Sequence, residues 1–163
     1  MFFPMCVNLK DKKILVIGAG KVAKRKIKKI AEYGTDITVL GKEIKESEIL
    51  KIKNLKIIKK NLENSQNEIE KIVKNYFLVI TATDDVDLNE KIALTCDRNN
   101  ILVNNVSSKT MMNTMFTGVV KNSEFQISIS TNGKNCKRSR TMKEEIKKVL
   151  NKIENLENGE ENV

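Results

Sequence analysis

Three small residues, Gly18, Gly20 and Ala23, have the G-x-G-x-x-A spacing that allows a backbone to hold a pyrophosphate. The first glycine permits a tight turn, the second lets the chain approach the phosphates, and the small third residue lets a helix pack close to a strand. The N–H groups that follow, from Lys21 and Val22 onward, lack partners at a helix start and can donate to phosphate oxygens. The spacing therefore predicts a dinucleotide site at this turn.

The residues on either side supply the elements that this chemistry needs. Ile14 to Ile17 form a short apolar run, which is typical of a strand buried in a parallel sheet. After the glycines, apolar residues recur at helical spacing, namely Val22, Ala23, Ile27 and Ile30. A strand, a tight turn and a helix in this order favour dinucleotide binding over a glycine pair that only ends a strand.

The second predicted strand, Asp36 to Leu40, leaves the choice of dinucleotide open. An NAD site usually places an acidic residue at the tip of this strand, where it binds the ribose 2′-hydroxyl. Here Gly41 and Lys42 follow the strand, and Glu43 lies slightly beyond the tip. Lys42 suits the 2′-phosphate of NADP, or it is a solvated loop lysine. We expect Gly41 and Lys42 to belong to the cofactor site, with NAD as the cofactor and NADP not excluded.

The rest of the chain keeps alternating between strand and helix. A short helical stretch is predicted at Ser47–Ile52, a strand at Leu55–Ile58, capping boxes at Ser65–Glu68 and Asp87–Glu90, and strands at Phe77–Thr81 and Ile101–Val103. Repeated βα units imply a parallel sheet, so the predicted fold class is α/β, of the Rossmann type. Open α/β sheets bind ligands at the carboxyl ends of their strands, which adds four polar residues to the predicted cofactor site: Thr81, Thr83, Asp84 and Asn104.

Length and composition limit what can surround this unit. A chain of 163 residues with 40% hydrophobic residues makes one ordinary domain with a short appendage, which excludes a multidomain enzyme. The apolar N-terminus, Met1 to Val7, is short and lacks a basic region before it, so it does not predict a secretory signal. No apolar run approaches membrane-spanning length. We therefore expect a soluble, cytoplasmic protein without a membrane partner.

Cysteine and histidine usage restricts the available chemistry. Cys6, Cys96 and Cys136 lie far apart and form no C-x-x-C pair, so we interpret them as reduced packing thiols and predict no metal site. Histidine is absent, which removes the usual general base. Any proton transfer must then fall to carboxylates, lysines or the substrate.

The formal charge of +9 is compatible with a polyanionic partner. Aromatic residues make up only 4% of the chain, too few for stacking platforms, and no DNA-reading motif is present, so we do not predict nucleic acid binding. A small molecule with several carboxylates would also suit the charge. The remaining alternative is that most of these lysines form a solvated surface.

The chain resembles the precorrin-2 dehydrogenase/sirohydrochlorin ferrochelatase family, the NAD-dependent part of siroheme synthases. The resemblance rests on Val7–Lys10, on GAGKVAKRKI at Gly18–Ile27, on FLVITATDD at Phe77–Asp85, on Leu102–Asn104, and on ISISTNGK at Ile127–Lys134. These segments span almost the whole chain, and the ATDD and ISISTNGK segments are more specific than the glycines alone.

The resemblance implies an activity and a domain organisation. Family members pass a hydride from precorrin-2 to NAD, and some then insert ferrous iron into sirohydrochlorin. Their substrate carries eight carboxylates. From the match in the ISISTNGK segment, the resemblance implies that the substrate is contacted by Thr131, Asn132, Gly133 and Lys134. It also implies a dinucleotide-binding domain at 1–110 and a dimerisation extension at 111–163 with a terminal helix and a disordered tail.

Two departures from the family pattern bear on activity. The family has an aspartate in an N-V-x-D pattern after the fifth strand, its candidate for proton transfer, and this chain has Ser107 at that position. The small helical domain that follows the extension in the family is not found in this sequence. We keep two hypotheses: a dehydrogenase without ferrochelatase activity, with Ser107 at the catalytic position, and a non-catalytic dinucleotide-binding partner of another tetrapyrrole enzyme.

Segments after the fifth strand exceed what a dinucleotide domain needs. Thr114–Val120, Phe125–Ser130 and a helix at Lys143–Leu156 are too small to form an independent core, so we predict that they pack across the twofold axis of a homodimer. A methionine-rich cluster precedes them: Met111, Met112, Met115 and Phe116. It is either a flexible wall against the substrate or part of the core or the subunit interface, and we favour the interface.

Overall fold

A five-stranded parallel sheet in the order β3-β2-β1-β4-β5 is the largest element of the computed structural model. The structure describes residues 2–107 and 111–160, with side chains up to Glu154. The strands are β1 (Lys13–Ile17), β2 (Asp36–Gly41), β3 (Leu55–Lys59), β4 (Leu78–Thr81) and β5 (Leu102–Asn105), and the helices between them are α1 (Lys21–Ala31), α2 (Gln66–Val73) and α3 (Val86–Arg98). A 3-10 turn occupies Ser47–Lys51. This arrangement confirms the predicted Rossmann-type α/β fold.

Successive side chains of β1 point to opposite faces of the sheet, so they show which helices cover each face. Leu15 and Ile17 belong to one buried cluster together with Ile69 of α2 and Ile92 of α3, so these two helices cover that face. Helix α1 contacts β1 and the 3-10 turn and buries Ala23, Ile27 and Ile30. Val22 shares their helical spacing, but it is 40% exposed.

Neither of the two predicted capping boxes forms. Ser65 precedes α2 without a side-chain cap bond, and the Glu68 carboxylate accepts from the N–H of Glu63 at 2.9 Å instead. Helix α3 begins at Val86, one residue before the predicted box, because Asp85 has extended backbone and its carboxylate accepts from the N–H of Leu88 at 2.9 Å. The true cap of α3 is therefore the last residue of the polar loop that follows β4.

The packing role predicted for the cysteines holds for only one of them. Cys96 is buried in the core, and burial raises the pKa of its thiol to about 12. Cys6 precedes β1 and Cys136 begins the last helix, so neither lies in the sheet core, and both are exposed. All three thiols are free.

The chain divides into two units, one of residues Cys6–Thr114 and the other of the residues at both ends. In the second unit, β6 (Gly118–Lys121) and β7 (Gln126–Ile129) form an antiparallel pair that contacts α4 (Cys136–Glu160). Helix α4 begins seven residues before the predicted Lys143 and continues to Glu160, and residues 161–163 of the predicted tail lie outside the described residues. Within the described ranges, no helix has both the length and the apolar character needed to cross a bilayer.

Candidate functional site

A cavity of about 500 Å³ opens at the carboxyl ends of β1, β2 and β4, which is within the usual range for small-molecule sites. The parallel strands bring the loops that follow them to this one edge of the sheet. Six of the residues predicted from the sequence line the cavity: Gly18, Gly20, Gly41, Lys42, Thr83 and Asp84. Lys21 and Val22 form the first turn of α1 beside Gly20.

Gly18 is required by the fold itself. Its φ of +106° is unfavourable for any residue with a side chain. A Cβ added at Gly18 would also lie 2.2 Å from the carbonyl oxygen of Ala82, in the loop after β4. The turn is tied to the sheet as well, because the N–H of Gly18 donates to the carbonyl oxygen of Leu40 at 2.8 Å.

The fold does not require a glycine at position 20, so the surroundings of Gly20 show whether the site suits a dinucleotide. Its backbone is extended, with φ of −90°, and a Cβ added there would meet no atom within 4 Å. Gly20 is also the N-cap of α1, and it offers no side chain to pair the N–H groups of the first turn. Open space in front of unpaired donors at a helix start fits a bound pyrophosphate.

Charged residues line the side of the cavity next to β2. Lys42 and Glu43 both belong to the lining, so both candidate contacts to the cofactor ribose are present. Lys45, in the loop after β2, donates to the Asp84 carboxylate at 3.1 Å, and this hydrogen bond raises the pKa of Lys45. The pair joins the loop after β2 to the loop after β4 at the cavity.

Thr81 and Asn104 lie at the ends of β4 and β5, and neither lines the cavity. The Asn104 amide nitrogen donates to the carbonyl oxygen of Thr114 at 2.8 Å. Among the described residues, no partner is found for Thr81 Oγ1, for Asn104 Oδ1, or for Nδ2 of Asn105, the register partner of Thr81. Unpaired buried polar atoms are costly, and these three lie at the ends of the paired strands β4 and β5.

Ser107 is held by two asparagines. Its hydroxyl donates to Asn105 Oδ1 at 2.8 Å and accepts from Asn89 Nδ2 at 3.0 Å. Asn89 was not predicted as a site residue, and its side chain also bonds to Thr83. Its position in α3 gave no sequence signal, because an asparagine inside a helical pattern is usually a solvated residue.

The four residues implied to contact substrate lie in the second unit, between β7 and α4. Asn132 and Gly133 have φ of +51° and +74°, and the N–H of Lys134 donates to the carbonyl oxygen of Thr131 at 3.0 Å. The structure thus places them together in one tight turn. In the methionine cluster, Met111 packs against the core of the first unit.

Comparison with known proteins identifies the family. Residues 5–118 match the sequence profile of a family described as putative NAD(P)-binding. The chain belongs to this family. Since the family's cofactor is NAD(P), the match confirms the cofactor class predicted from the glycine spacing. When bound, NAD(P) supplies the hydride acceptor, and Gly20 with the start of α1 would hold its pyrophosphate.

Relatives of this NAD(P)-binding protein confirm the resemblance found in the sequence. The chain is 32% identical to a siroheme synthase of Buchnera aphidicola, over 91% of this chain and 31% of that protein. It is 29% identical to a precorrin-2 dehydrogenase of Bacillus subtilis, over 90% of this chain and 88% of that protein. A solved structure named SirC, precorrin-2 dehydrogenase, is 26% identical with a TM-score of 0.75, over 89% of this chain and 69% of that one. The chain thus spans about a third of the Buchnera synthase.

Proposed function

We propose that this chain oxidises precorrin-2 to sirohydrochlorin with NAD, without ferrochelatase activity. The observation that carries the proposal is the extent of the match to the Bacillus subtilis precorrin-2 dehydrogenase, which covers 90% of this chain and 88% of that protein. The likeness therefore includes the residues after the dinucleotide unit. NADP remains an alternative cofactor, because Lys42 and Glu43 both line the cavity.

In the proposed reaction, precorrin-2 loses two hydrogens. One leaves as a hydride with both bonding electrons and reduces NAD to NADH, and the other leaves as a proton. Ser107 is a poor acceptor for that proton, because its hydroxyl already donates to Asn105 and accepts from Asn89. Positioning can supply about 7–11 kcal/mol, whereas one general base contributes roughly 10²–10⁴-fold. We therefore expect slow oxidation, with the proton passing to solvent or to a substrate carboxylate.

A second candidate function is that of a non-catalytic dinucleotide-binding partner of another tetrapyrrole enzyme. The observation that favours it is the hydrogen-bonded state of Ser107 at the position where the family has its aspartate. The deciding experiment is anaerobic incubation of the purified chain with precorrin-2 and NAD, followed by absorbance. Formation of NADH supports the dehydrogenase. Binding of NADH without any turnover would favour the partner role.

We further propose a homodimer in which residues 111–163 act as the dimerisation extension. Support comes from exposed apolar side chains on α4: Met142, Val149 and Ile153. The turn of Thr131–Lys134 would contact the carboxylates of the substrate. A cytoplasmic location is part of the proposal, because exposed free thiols at Cys6 and Cys136 suit a reducing compartment.

A further inference from the structure

The side-chain amide of Asn89 makes four hydrogen bonds, all to two residues of the candidate site. Asn89 is fully buried near the start of α3. Its Oδ1 accepts from the N–H of Thr83 at 3.3 Å and from the Thr83 hydroxyl at 2.8 Å. Its Nδ2 donates to the carbonyl oxygen of Thr83 at 3.0 Å and to Ser107 Oγ at 3.0 Å. Both amide hydrogens are therefore used within the protein.

Thr83, which Asn89 holds at three atoms, lies directly against the glycine turn. A Cβ added at Gly18 would be 3.0 Å from the backbone nitrogen of Thr83 and 2.2 Å from the carbonyl oxygen of Ala82. The loop after β4 is thus a wall of the turn that is proposed to receive the pyrophosphate. Because packed groups this close cannot shift independently, a displacement of Thr83 would alter the cavity.

We propose that Asn89 is a positioning residue that fixes Thr83 on the cofactor side and Ser107 on the reaction side in one geometry. The inference rests on the proposed function, because it assigns Asn89 a role in that same site. Asn89 acts on nucleotide binding through Thr83 and on the reacting position through Ser107. Leucine has a similar size but none of the polar atoms, and aspartate keeps the acceptors but loses both donors.

The first test compares two buried polar residues of α3. Asn89→Leu removes all four bonds. Thr95→Val is the matched control, because Thr95 is also buried, its hydroxyl donates to the carbonyl oxygen of Lys91 at 2.8 Å, and it lies away from the loop. NADH binding to the full chain is followed by nucleotide fluorescence, together with thermal unfolding. We expect both variants to melt earlier, but only Asn89→Leu to raise the Kd for NADH, by about tenfold.

Two further variants each remove one hydroxyl that bonds to Asn89, and they keep the inference testable if Asn89→Leu does not fold. Thr83→Val leaves the two bonds from Asn89 to the Thr83 backbone in place. Thr83→Val should raise the Kd for NADH, whereas Ser107→Ala should leave it within about twofold. With precorrin-2 as substrate, Ser107→Ala made in the wild type should lower kcat/KM. The same substitution made in Asn89→Leu should lower it no further, because the effects of substitutions at contacting residues are not additive.

The inference is overturned if folded Asn89→Leu binds NADH within about twofold of the wild type, or if Thr95→Val weakens binding equally. If Asn89→Leu is unfolded, wild-type affinity in both Thr83→Val, which loses the hydroxyl bond, and Asn89→Asp, which loses both amide donors, overturns it. Absence of turnover in a wild type that binds NADH defeats the proposed oxidation alone, and the NADH affinities still decide the role of Asn89.

Discussion

At the scale of single residues, we expect Gly18 and Gly20 to be needed for different reasons, the first for folding and the second for nucleotide binding. Gly20→Asp should abolish binding of NAD and NADP, because it places a carboxylate where the pyrophosphate is expected, while a Cβ there meets nothing within 4 Å and the fold should survive. Gly18→Ala should instead destabilise the protein, by about 1–3 kcal/mol for the strained backbone alone. Calorimetry with nucleotide and thermal unfolding separate the two effects. Retained nucleotide affinity in Gly20→Asp would contradict the assignment.

Ser107→Asp tests whether the site still accepts the family's carboxylate. The Asn105 amide would have to turn so that Nδ2, now without a partner among the described residues, donates to the new side chain. We expect NADH formation from precorrin-2 to rise by up to roughly 10²–10⁴-fold.

Ser107→Ala is the control for this substitution, since it removes the hydroxyl without adding a base. Initial rates of NADH formation for the wild type and both variants, measured side by side, give the result. Zero turnover in all three proteins, with NADH bound, would leave the partner role standing.

What the sequence reveals at this scale depends on how local the signal is. The glycine spacing and the polar residues after the strands predicted six of the residues that line the cavity, because strand ends carry a recognisable pattern. Asn89 was missed, because its proposed role arises from hydrogen bonds to two residues distant in sequence, Thr83 and Ser107. Helix α3 and the pairing of β4 with β5 bring these residues together.

At the scale of elements, helices α2 and α3 should depend differently on the residue before them. Asp85→Ala removes a cap bond to Leu88 and should lower the free energy of unfolding by about 0.5–2 kcal/mol. Ser65→Ala is the matched control, because Ser65 makes no side-chain cap bond, and it should change stability by about 0.5 kcal/mol or less. Urea denaturation measures both, and equal losses would contradict the assigned cap.

An ion-pair cluster ties α1 to the 3-10 turn and should make this contact sensitive to acid. Lys28 and Lys24 hydrogen-bond to the Glu48 carboxylate and lower its pKa from 4.5 to about 2. A group with a lowered folded pKa stabilises above its unfolded value, so this contribution is present above about pH 4.5 and is lost as the pH falls toward 2. The effect should be small, because the side chains are exposed.

Glu48→Gln should therefore lower the urea midpoint at pH 7. The difference from the wild type should shrink as the pH falls below about 4.5 and should vanish only below about pH 2. Glu124→Gln serves as the control, since Glu124 makes no ion pair within the described residues. A difference that is constant from pH 7 to 2.5 would show that the carboxylate charge is not responsible.

Helix starts were the least predictable elements, and the reason is physical. An N-cap requires extended backbone at the cap and a reachable N–H two or three residues on, and four residues near α3 have a suitable side chain: Thr83, Asp84, Asp85 and Asp87. The selection of Asp85 depends on where β4 ends. Likewise, α4 extends to Cys136 through a polar, basic segment that carries no amphipathic signal, although the helix itself was predicted.

At the scale of the whole molecule, the residues after Thr114 should reveal their role through assembly. We predict a homodimer, since α4 exposes Met142, Val149 and Ile153, and β6, β7 and α4 bury few described side chains of their own. Light scattering at micromolar concentration should give twice the mass of 18.5 kDa. A monomer would contradict the prediction, and Val149→Glu should shift a true dimer toward that mass if α4 lies in the interface.

The close contact between Gly18 and Ala82 also bears on how such a chain can change over generations. Selection for folding alone would retain Gly18, because no side chain fits 2.2 Å from the Ala82 carbonyl oxygen. Gly20 has open space around it, so only a bound nucleotide would keep it small. A descendant that no longer binds the cofactor would therefore keep Gly18 but accumulate substitutions at position 20. Gly20 is therefore better evidence than Gly18 that the chain binds a nucleotide.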